Sequence, residues 1–150
     1  MFYETSVRDH GLPHDPFKAI VAPRPIGWIS TISEKGEVNL APYSFFNAVG
    51  SRPDMVMFAS DTLKDSVTNI RQTGEFVCNY VSADFTEAMN ETSTDAPLGV
   101  DEFEVAGLTK VASRLVAPPR VEGVAAALEC KATQIIEVTD IEGSKTGSIM

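Results

Sequence analysis

Short apolar segments of strand length, separated by turn residues, recur along the chain and constrain its fold more than any other feature. They lie at residues 26–32, 38–41, 55–59, 76–81 and 128–139. Residues 34–37 form a turn between the first two segments, which predicts a hairpin. Segment 55–59 is apolar throughout and predicts a strand buried on both faces, whereas segment 128–139 alternates and predicts one long half-buried strand.

Two helical segments interrupt this series of strands. Asp65 can cap a helix that runs to about Thr73, and a second helix can begin at Ser82 or Asp84. The buried stripe of the second helix would consist of Phe85, Ala88 and Met89. Because helices are inserted between strands rather than alternating regularly with them, the sequence predicts a mainly β fold, a β-barrel with short helices, over the single domain 1–150. It contains no Gly-x-Gly-x-x-Gly fingerprint of a dinucleotide-binding doubly wound sheet.

The charge of the chain excludes several classes of partner. Its formal net charge is −9, which weighs against nucleic acid and against an anionic membrane surface. Two cysteines without a Cys-x-x-Cys pair favour a reducing compartment, although one Cys78–Cys130 bridge stays open as an alternative. Residues 1–15 have no apolar core typical of a signal peptide, so we expect a cytoplasmic protein.

The last residues resemble the start of a further strand. Residues 142–147 form a turn, and residues 148–150 would be the beginning of a hairpin partner for segment 128–139. A barrel that stopped there would leave an open ladder along one edge. We therefore expect that a natural carboxyl-terminal part follows residue 150.

Neither acid–base nor metal chemistry stands out in the sequence. His10 and His14 lie in a segment rich in Pro and Gly and are expected to be solvated loop residues. The acidic cluster of Asp101, Glu102 and Glu104 is expected to lie on the solvated face of a short amphipathic turn. We therefore single out no catalytic residue and no metal ligand.

Residues 60–70 predict an anion site. An apolar strand ends there, a short polar loop follows, and a helix begins, so unpaired N–H groups and a partial positive charge face the loop. Lys64 adds a full charge, and Ser60 and Ser66 add hydroxyl donors. A plain capped helix with a solvated lysine remains the alternative.

A second polar constellation spans residues 23–31 and 39–47. It combines hydroxyls, amides and aromatic rings on strands and a loop. A flat ring with a polar edge, such as isoalloxazine, needs this mixture of apolar faces and hydrogen-bonding partners. The alternative is a strand hairpin with an aromatic core.

Together these segments resemble the flavin reductase-like FMN-binding family. Residues 24–31 (Arg-Pro-Ile-Gly-Trp-Ile-Ser-Thr) and 39–47 (Asn-Leu-Ala-Pro-Tyr-Ser-Phe-Phe-Asn) are similar to its opening motifs. Residues 64–66 (Lys-Asp-Ser) are similar to its Lys-Asp-Thr phosphate loop, with Ser in place of Thr. Later similarities at 99–103, 106–108 and 128–130 extend the resemblance in order over nearly the whole chain.

The resemblance implies an antiparallel FMN-binding split barrel of Greek-key type, usually a homodimer with the flavin near the subunit interface. FMN is the implied cofactor, with FAD as a possibility and NAD(P)H as co-substrate. The implied flavin-binding residues are Trp28, Ser30, Thr31, Ser44, Phe46, Asn47, Ser60, Lys64, Asp65 and Ser66. Asp65 would act chiefly as the helix cap, because an anion beside phosphate is costly.

Three functions fit this resemblance. The first is an NAD(P)H:flavin oxidoreductase that supplies reduced flavin to a monooxygenase or another acceptor. The second is a non-enzymatic FMN electron carrier that docks to redox partners through its acidic surface. The third is a split-barrel protein that uses its pocket for a ligand other than flavin.

Overall fold

The computed structural model describes residues 2–94, 97 and 99–150 of the chain. These residues form ten antiparallel strands and four short α-helices. The strands are β1 (Gly27–Ile32), β2 (Val38–Tyr43), β3 (Phe46–Ser51), β4 (Asp54–Ser60), β5 (Glu75–Asn79), β6 (Lys110–Val111), β7 (Arg120–Val121), β8 (Ala127–Lys131), β9 (Ile136–Thr139) and β10 (Lys145–Ile149). The helices are α1 (Pro16–Ile20), α2 (Asp65–Thr73), α3 (Thr86–Glu91) and α4 (Glu102–Val105), with a 3₁₀ turn at Ala83–Phe85.

Two four-stranded sheets make up the body of the molecule. One has the strand order β2-β1-β5-β8 and the other β3-β4-β10-β9, while β6 and β7 form a separate pair. The predicted hairpin is confirmed, because β1 pairs with β2 in register from Gly27 opposite Tyr43 to Ile32 opposite Val38. The predicted mainly β fold with short helices is likewise confirmed.

Strand β1 is buried on both faces because two hydrophobic cores meet on it. Ile29 belongs to a core that includes Phe58 of β4 and Val67 of α2. Trp28, next along the strand, belongs to a second core with Leu40 and Phe103. The predicted stripe of Phe85, Ala88 and Met89 packs against this second core, as expected.

Two strand predictions need correction. Strand β4 is not buried on both faces, since Met55 is 41% exposed and only Phe58 and Ser60 are buried. Segment 128–139 is two strands in different sheets, β8 beside β5 and β9 beside β10. The ladder of β8 ends where Ala132 N donates to Gly74 O at 2.8 Å, after which the chain crosses to the other sheet. The predicted inward face is not continuous, because Leu128 is 49% exposed and Ile136 is 50% exposed.

Residues 148–150 belong to the hairpin partner expected for the end of segment 128–139, because β10 pairs with β9. Strand β10 lies between β9 and β4, with Ser148 opposite Ser60 and Ile149 opposite Ala59. Met150 and Phe58 exchange two backbone hydrogen bonds, at 2.9 and 3.1 Å. Gly147 is required in this pairing, because an added Cβ would lie 2.4 Å from Ser60 O.

Helix α2 has the predicted length, but its N-cap is Lys64 and not Asp65, which is the first helical residue. Its end is as expected: Gly74 adopts the left-handed conformation at φ 71°, and its N–H donates to Ile70 O at 2.8 Å. Throughout the part of the chain that the structure describes, no helix is long and apolar enough to cross a membrane.

Candidate functional site

A polar cavity of about 290 Å³ opens where the first turn of α2 faces strand β2. One wall is formed by residues of β2, namely Asn39, Ala41, Pro42 and Tyr43. The opposite wall is the segment 62–66, and residues 92–94 and Glu102 complete the lining. The volume is at the lower end of the range typical of ligand pockets, about 300–1,000 Å³.

The first turn of α2 borders this cavity, since Asp65 and Ser66 line it. The N-cap Lys64 makes no side-chain capping hydrogen bond to the first N–H groups of the helix, which lack partners within the helix. Ser66, fully buried, accepts a hydrogen bond from Asn39 Nδ2 at 2.8 Å. Ser60 Oγ donates to Thr62 O at 2.8 Å, and Lys64 N donates to the same oxygen at 3.0 Å. These bonds fix the loop in the shape that presents Lys64 and Ser66 together.

Tyr43, which was not among the predicted site residues, forms the floor of the cavity. Its side chain is 7% exposed and its ring centroid lies 4.7 Å from that of Phe58. Its hydroxyl is buried beside the Ser66 and Ser60 hydroxyls. Burial raises the pKa of Tyr43, while the nearby Ser66 and Ser60 hydroxyls oppose the rise. The sequence did hold a signal for this residue, since Asn39, Ala41 and Tyr43 alternate along one strand.

Glu102 also lines the cavity, and its expected place on a solvated face is wrong. Its side chain is 8% exposed, and Oε2 accepts a hydrogen bond from Leu40 N at 3.0 Å. The reason is its neighbour Phe103, which is fully buried and anchors α4 against β2, the edge strand of its sheet. Burial raises the pKa of Glu102, and the hydrogen bond from Leu40 N opposes this rise.

Three of the predicted flavin-binding residues are not part of the lining of this cavity. Trp28, Ser30 and Thr31 are fully buried. Trp28 Nε1 donates to Thr92 Oγ1 at 2.9 Å, Ser30 Oγ donates to Pro119 O at 2.5 Å, and Thr31 Oγ1 accepts from Asn69 Nδ2 at 3.0 Å. Their polar atoms therefore have partners inside the protein, and Trp28 supports the cavity through Thr92.

Three further predicted residues lie at the turn from β2 into β3, outside the polar cavity. Phe46 lines a separate apolar cavity of about 530 Å³ with Tyr80 and Leu128. Asn47 is exposed, and its Oδ1 accepts a hydrogen bond from Ala48 N at 2.8 Å. Ser44 is partly buried in the connecting bend. The structure thus brings together Lys64, Asp65 and Ser66, with Ser60 behind them, and places the predicted ring contacts elsewhere.

The remaining titratable groups lie outside this site. His10 Nδ1 accepts a hydrogen bond from Leu12 N at 3.1 Å, and His14 is exposed. Cys78 and Cys130 are free thiols, and burial raises the pKa of Cys78 to about 12. Across residues 2–94, 97 and 99–150, no cluster of three or more His, Cys, Asp or Glu side chains is arranged to hold a metal ion.

Comparison with known proteins agrees with this architecture. The model of the flavin reductase like domain family matches residues 21–142. An uncharacterized protein of Aquifex aeolicus is 44% identical over 127 residues, which are 81% of this chain and 65% of that protein. The chain spans between 54% and 65% of the length of the curated relatives it matches.

Two solved structures are similar over almost the whole chain. Nitrilotriacetate monooxygenase component B from Bacillus cereus is 26% identical in sequence and has a TM-score of 0.85. The match covers 99% of this chain and 76% of the Bacillus cereus chain. The Pseudomonas fluorescens 2-nitrobenzoate 2-nitroreductase NbaA is 30% identical in sequence and has a TM-score of 0.84. The match covers 99% of this chain and 71% of the NbaA chain.

Proposed function

The chain belongs to the flavin reductase-like family of split-barrel domains, and from this premise we propose that it binds FMN and reduces flavin with NAD(P)H. The observation that carries the proposal is the cavity beside α2. There Lys64 and the first turn of α2, which has no side-chain cap, line one cavity together with the polar side chains of Asn39 and Ser66. A donor-rich site of this kind fits the terminal phosphate of FMN.

The phosphate would be held by the loop and first turn of α2. Lys64 supplies charge, Ser66 a hydroxyl, and the first backbone N–H groups of the helix supply directed donors. Ser60 would act from behind by fixing the loop through its bond to Thr62 O. Asp65 would contribute its backbone N–H, since its carboxylate beside a phosphate raises the free energy of binding.

The ring and ribityl chain would extend toward the turn between β2 and β3. Ser44, Phe46 and Asn47 are the proposed contacts there. For Trp28, Ser30 and Thr31 we propose a supporting role, because all three side chains are fully buried. When bound, FMN would supply the chemistry, accepting a hydride from NAD(P)H and passing electrons to a monooxygenase or another acceptor, and FAD could serve in the same way.

The names of the two similar structures support a reductase, since one is a monooxygenase component and the other a nitroreductase. The second candidate is an FMN electron carrier, which the net charge of −9 favours as a surface for docking redox partners. Rapid mixing with NADH distinguishes the reductase from the electron carrier, because a reductase bleaches the flavin absorbance and a carrier without hydride transfer does not.

We further propose that the protein is a cytoplasmic homodimer, as the family resemblance implies.

Substitution of Lys64 by Ala tests the phosphate site. We expect FMN binding to weaken by about 10- to 100-fold, because a hydrogen bond to a charged group contributes roughly 1.5–3 kcal/mol. Riboflavin lacks the phosphate, so its binding should change little. Titration with both ligands by flavin fluorescence measures the difference.

The matched control is Lys18→Ala, which removes an exposed lysine of α1 outside the cavity. Its affinities for FMN and riboflavin should equal those of the wild type. Equal losses of both ligands in Lys64→Ala would place the phosphate elsewhere.

A further inference from the structure

The cavity beside α2 has a lining of two kinds. Segment 62–66 contributes hydrogen-bond donors, namely Lys64 and the first N–H groups of α2, which have no side-chain cap. Residues 92–94 and Glu102, which we call the acceptor wall, complete the lining from other elements of the fold. The two parts of the lining differ in whether they can donate a hydrogen bond to an anion.

The three hydroxyl residues of the acceptor wall have already used their protons. The hydroxyls of residues 92–94 donate to the carbonyls of residues 89–91 in α3, at 2.8 Å from Thr92 Oγ1 and 2.6 Å from Ser93 Oγ. Their backbone N–H groups donate to carbonyls of the same helix. Because an O–H or N–H group has one proton to donate, these residues offer a ligand acceptor oxygens and no donor.

Glu102 makes the acceptor wall anionic as well. Its carboxyl accepts hydrogen bonds from Leu40 N, at 3.0 Å, and from its own backbone N–H. Asp65 adds a second carboxyl group to the lining. An ionised carboxyl has acceptors only, and at 8% exposure little water screens the charge of Glu102. A phosphate placed against this wall is therefore repelled.

The position of Glu102 along β2 decides which part of a flavin nucleotide it would meet. Its hydrogen bond places the carboxyl beside Leu40, whereas the proposed ring contacts begin at Ser44. Four residues of a strand span about 13 Å. A flavin that extends from Ser44 toward α2 therefore reaches the acceptor wall with its phosphate end. Any group attached beyond that phosphate would lie against Glu102.

We propose that Glu102 is a specificity-determining residue, which restricts the cavity to one terminal phosphate and so selects FMN over FAD. This inference rests on the proposed function, since it takes the flavin phosphate to be bound beside α2. FMN ends in a single phosphate, which the donors of segment 62–66 can hold. FAD continues into a second phosphate, which would meet the carboxylate of Glu102 and the spent hydroxyls of residues 92–94.

Glu102→Gln tests this role, because Gln keeps an acceptor for Leu40 N, removes the charge and adds an amide donor. We expect FAD to bind about tenfold more tightly than to the wild type and FMN at most about threefold more tightly, because repulsion falls with distance. Riboflavin carries no phosphate and should bind unchanged. Fluorescence titration at pH 8, above the ordinary range of carboxyl pKa values, measures the three affinities. A merely structural role of Glu102 would weaken the binding of all three flavins.

Glu104→Gln is the matched control, because this side chain is 80% exposed on the same helix. It should leave the three affinities unaltered. If the wild type binds FMN no more tightly than riboflavin, the proposed phosphate site itself fails. If the wild type prefers FMN to riboflavin and Glu102→Gln leaves the ratio of FMN to FAD affinity unchanged, the site stands and the role of Glu102 is overturned.

Inorganic anions test the acceptor wall in the wild type, independently of any variant. Phosphate and pyrophosphate are titrated as competitors of bound FMN. Pyrophosphate carries the greater negative charge, so a site that attracts anions by charge alone would bind it more tightly. A cavity limited to one phosphate should release FMN at lower concentrations of phosphate than of pyrophosphate. The opposite order would overturn the inference.

Discussion

Two groups of buried polar residues lie beside strand β1 and strand β2, and they differ in their surroundings. Around β1, Ser30, Thr31 and Asn79 are fully buried and bonded to protein atoms. At the α2 cavity, the Tyr43 hydroxyl is buried beside the Ser60 and Ser66 hydroxyls, and the helix N-terminus has no side-chain cap. Both groups contain buried polar side chains, so burial alone does not separate them. The polar side chains around β1 are paired within the protein, whereas the cavity borders a helix N-terminus without a side-chain cap, and we propose the cavity as the ligand site.

The largest effect that tests this contrast should come from Asn79→Ala. Asn79 Nδ2 donates to Trp28 O at 3.1 Å and to Ser30 Oγ at 3.3 Å, and Oδ1 accepts from Val121 N at 2.9 Å. The substitution leaves a buried N–H unpaired and opens a cavity, so we expect a loss of about 2–4 kcal/mol in the free energy of unfolding. Urea denaturation measures it.

Asn90→Ala is the control for this loss, because Asn90 is an exposed residue of α3. It should change the free energy of unfolding by no more than about 0.5 kcal/mol. An Asn79→Ala protein as stable as the Asn90→Ala protein would remove the distinction between the two polar groups.

A smaller effect is expected from Thr31→Val, which directly compares support with ligand contact. The substitution keeps the shape of the side chain and leaves Asn69 Nδ2 without its acceptor at 3.0 Å. We expect a loss of about 1–3 kcal/mol in stability and an unchanged ratio of FMN to riboflavin affinity. Thr139→Val on the exposed side of β9 controls for strand propensity, and it should change neither the stability nor the ratio of FMN to riboflavin affinity. If Thr31→Val instead weakens flavin binding with stability intact, Thr31 is a direct contact.

Much of the fold was predictable because local patterns determine it. The β1–β2 hairpin and the end of α2 at Gly74 follow from apolar spacing and turn chemistry, and both are confirmed. The split of segment 128–139 was not predictable, because the apolar spacing in the sequence does not mark where β8 ends and β9 begins in the other sheet. The pairing of β10 with β4 is likewise a contact between distant parts of the chain that carries no local signal.

Only the residues of the site that lie close together in the sequence were predictable as a group. Lys64 and Ser66 lie in one loop and share one cavity, as their spacing predicts. Tyr43 and Glu102 reach the same cavity from β2 and α4, and only the tertiary fold brings those elements together. The acidic pattern of residues 101–104 predicted solvation, but Phe103 anchors the helix and carries Glu102 inward. The burial of Phe103 therefore also determines that the neighbouring Glu102 is buried.

Glu102 shares a property with each of the two polar groups, and its titration gives the smallest predicted effect. One oxygen is satisfied by Leu40 N, yet the side chain borders the ligand cavity. Burial raises the pKa of Glu102 in the folded protein above its unfolded value. The protonated form is therefore favoured by folding, so its contribution to stability is full below the unfolded pKa and is lost as the pH rises through the folded pKa.

Glu102→Gln should remove this dependence, because Gln keeps an acceptor for Leu40 N and carries no charge. Relative to the wild type, its free energy of unfolding should increase steadily as the pH rises from about 4 to 7. The difference between the two proteins is the informative quantity, since hydrogen bonds from Arg114 N and Leu115 N lower the pKa of Glu129, which gives the wild type an opposing slope. Glu104→Gln, whose side chain is 80% exposed on the same helix, is the control. Urea denaturation of the three proteins across this range decides the matter: parallel curves for the wild type and Glu102→Gln would mean that the Glu102 carboxyl is as well solvated in the fold as in the unfolded chain.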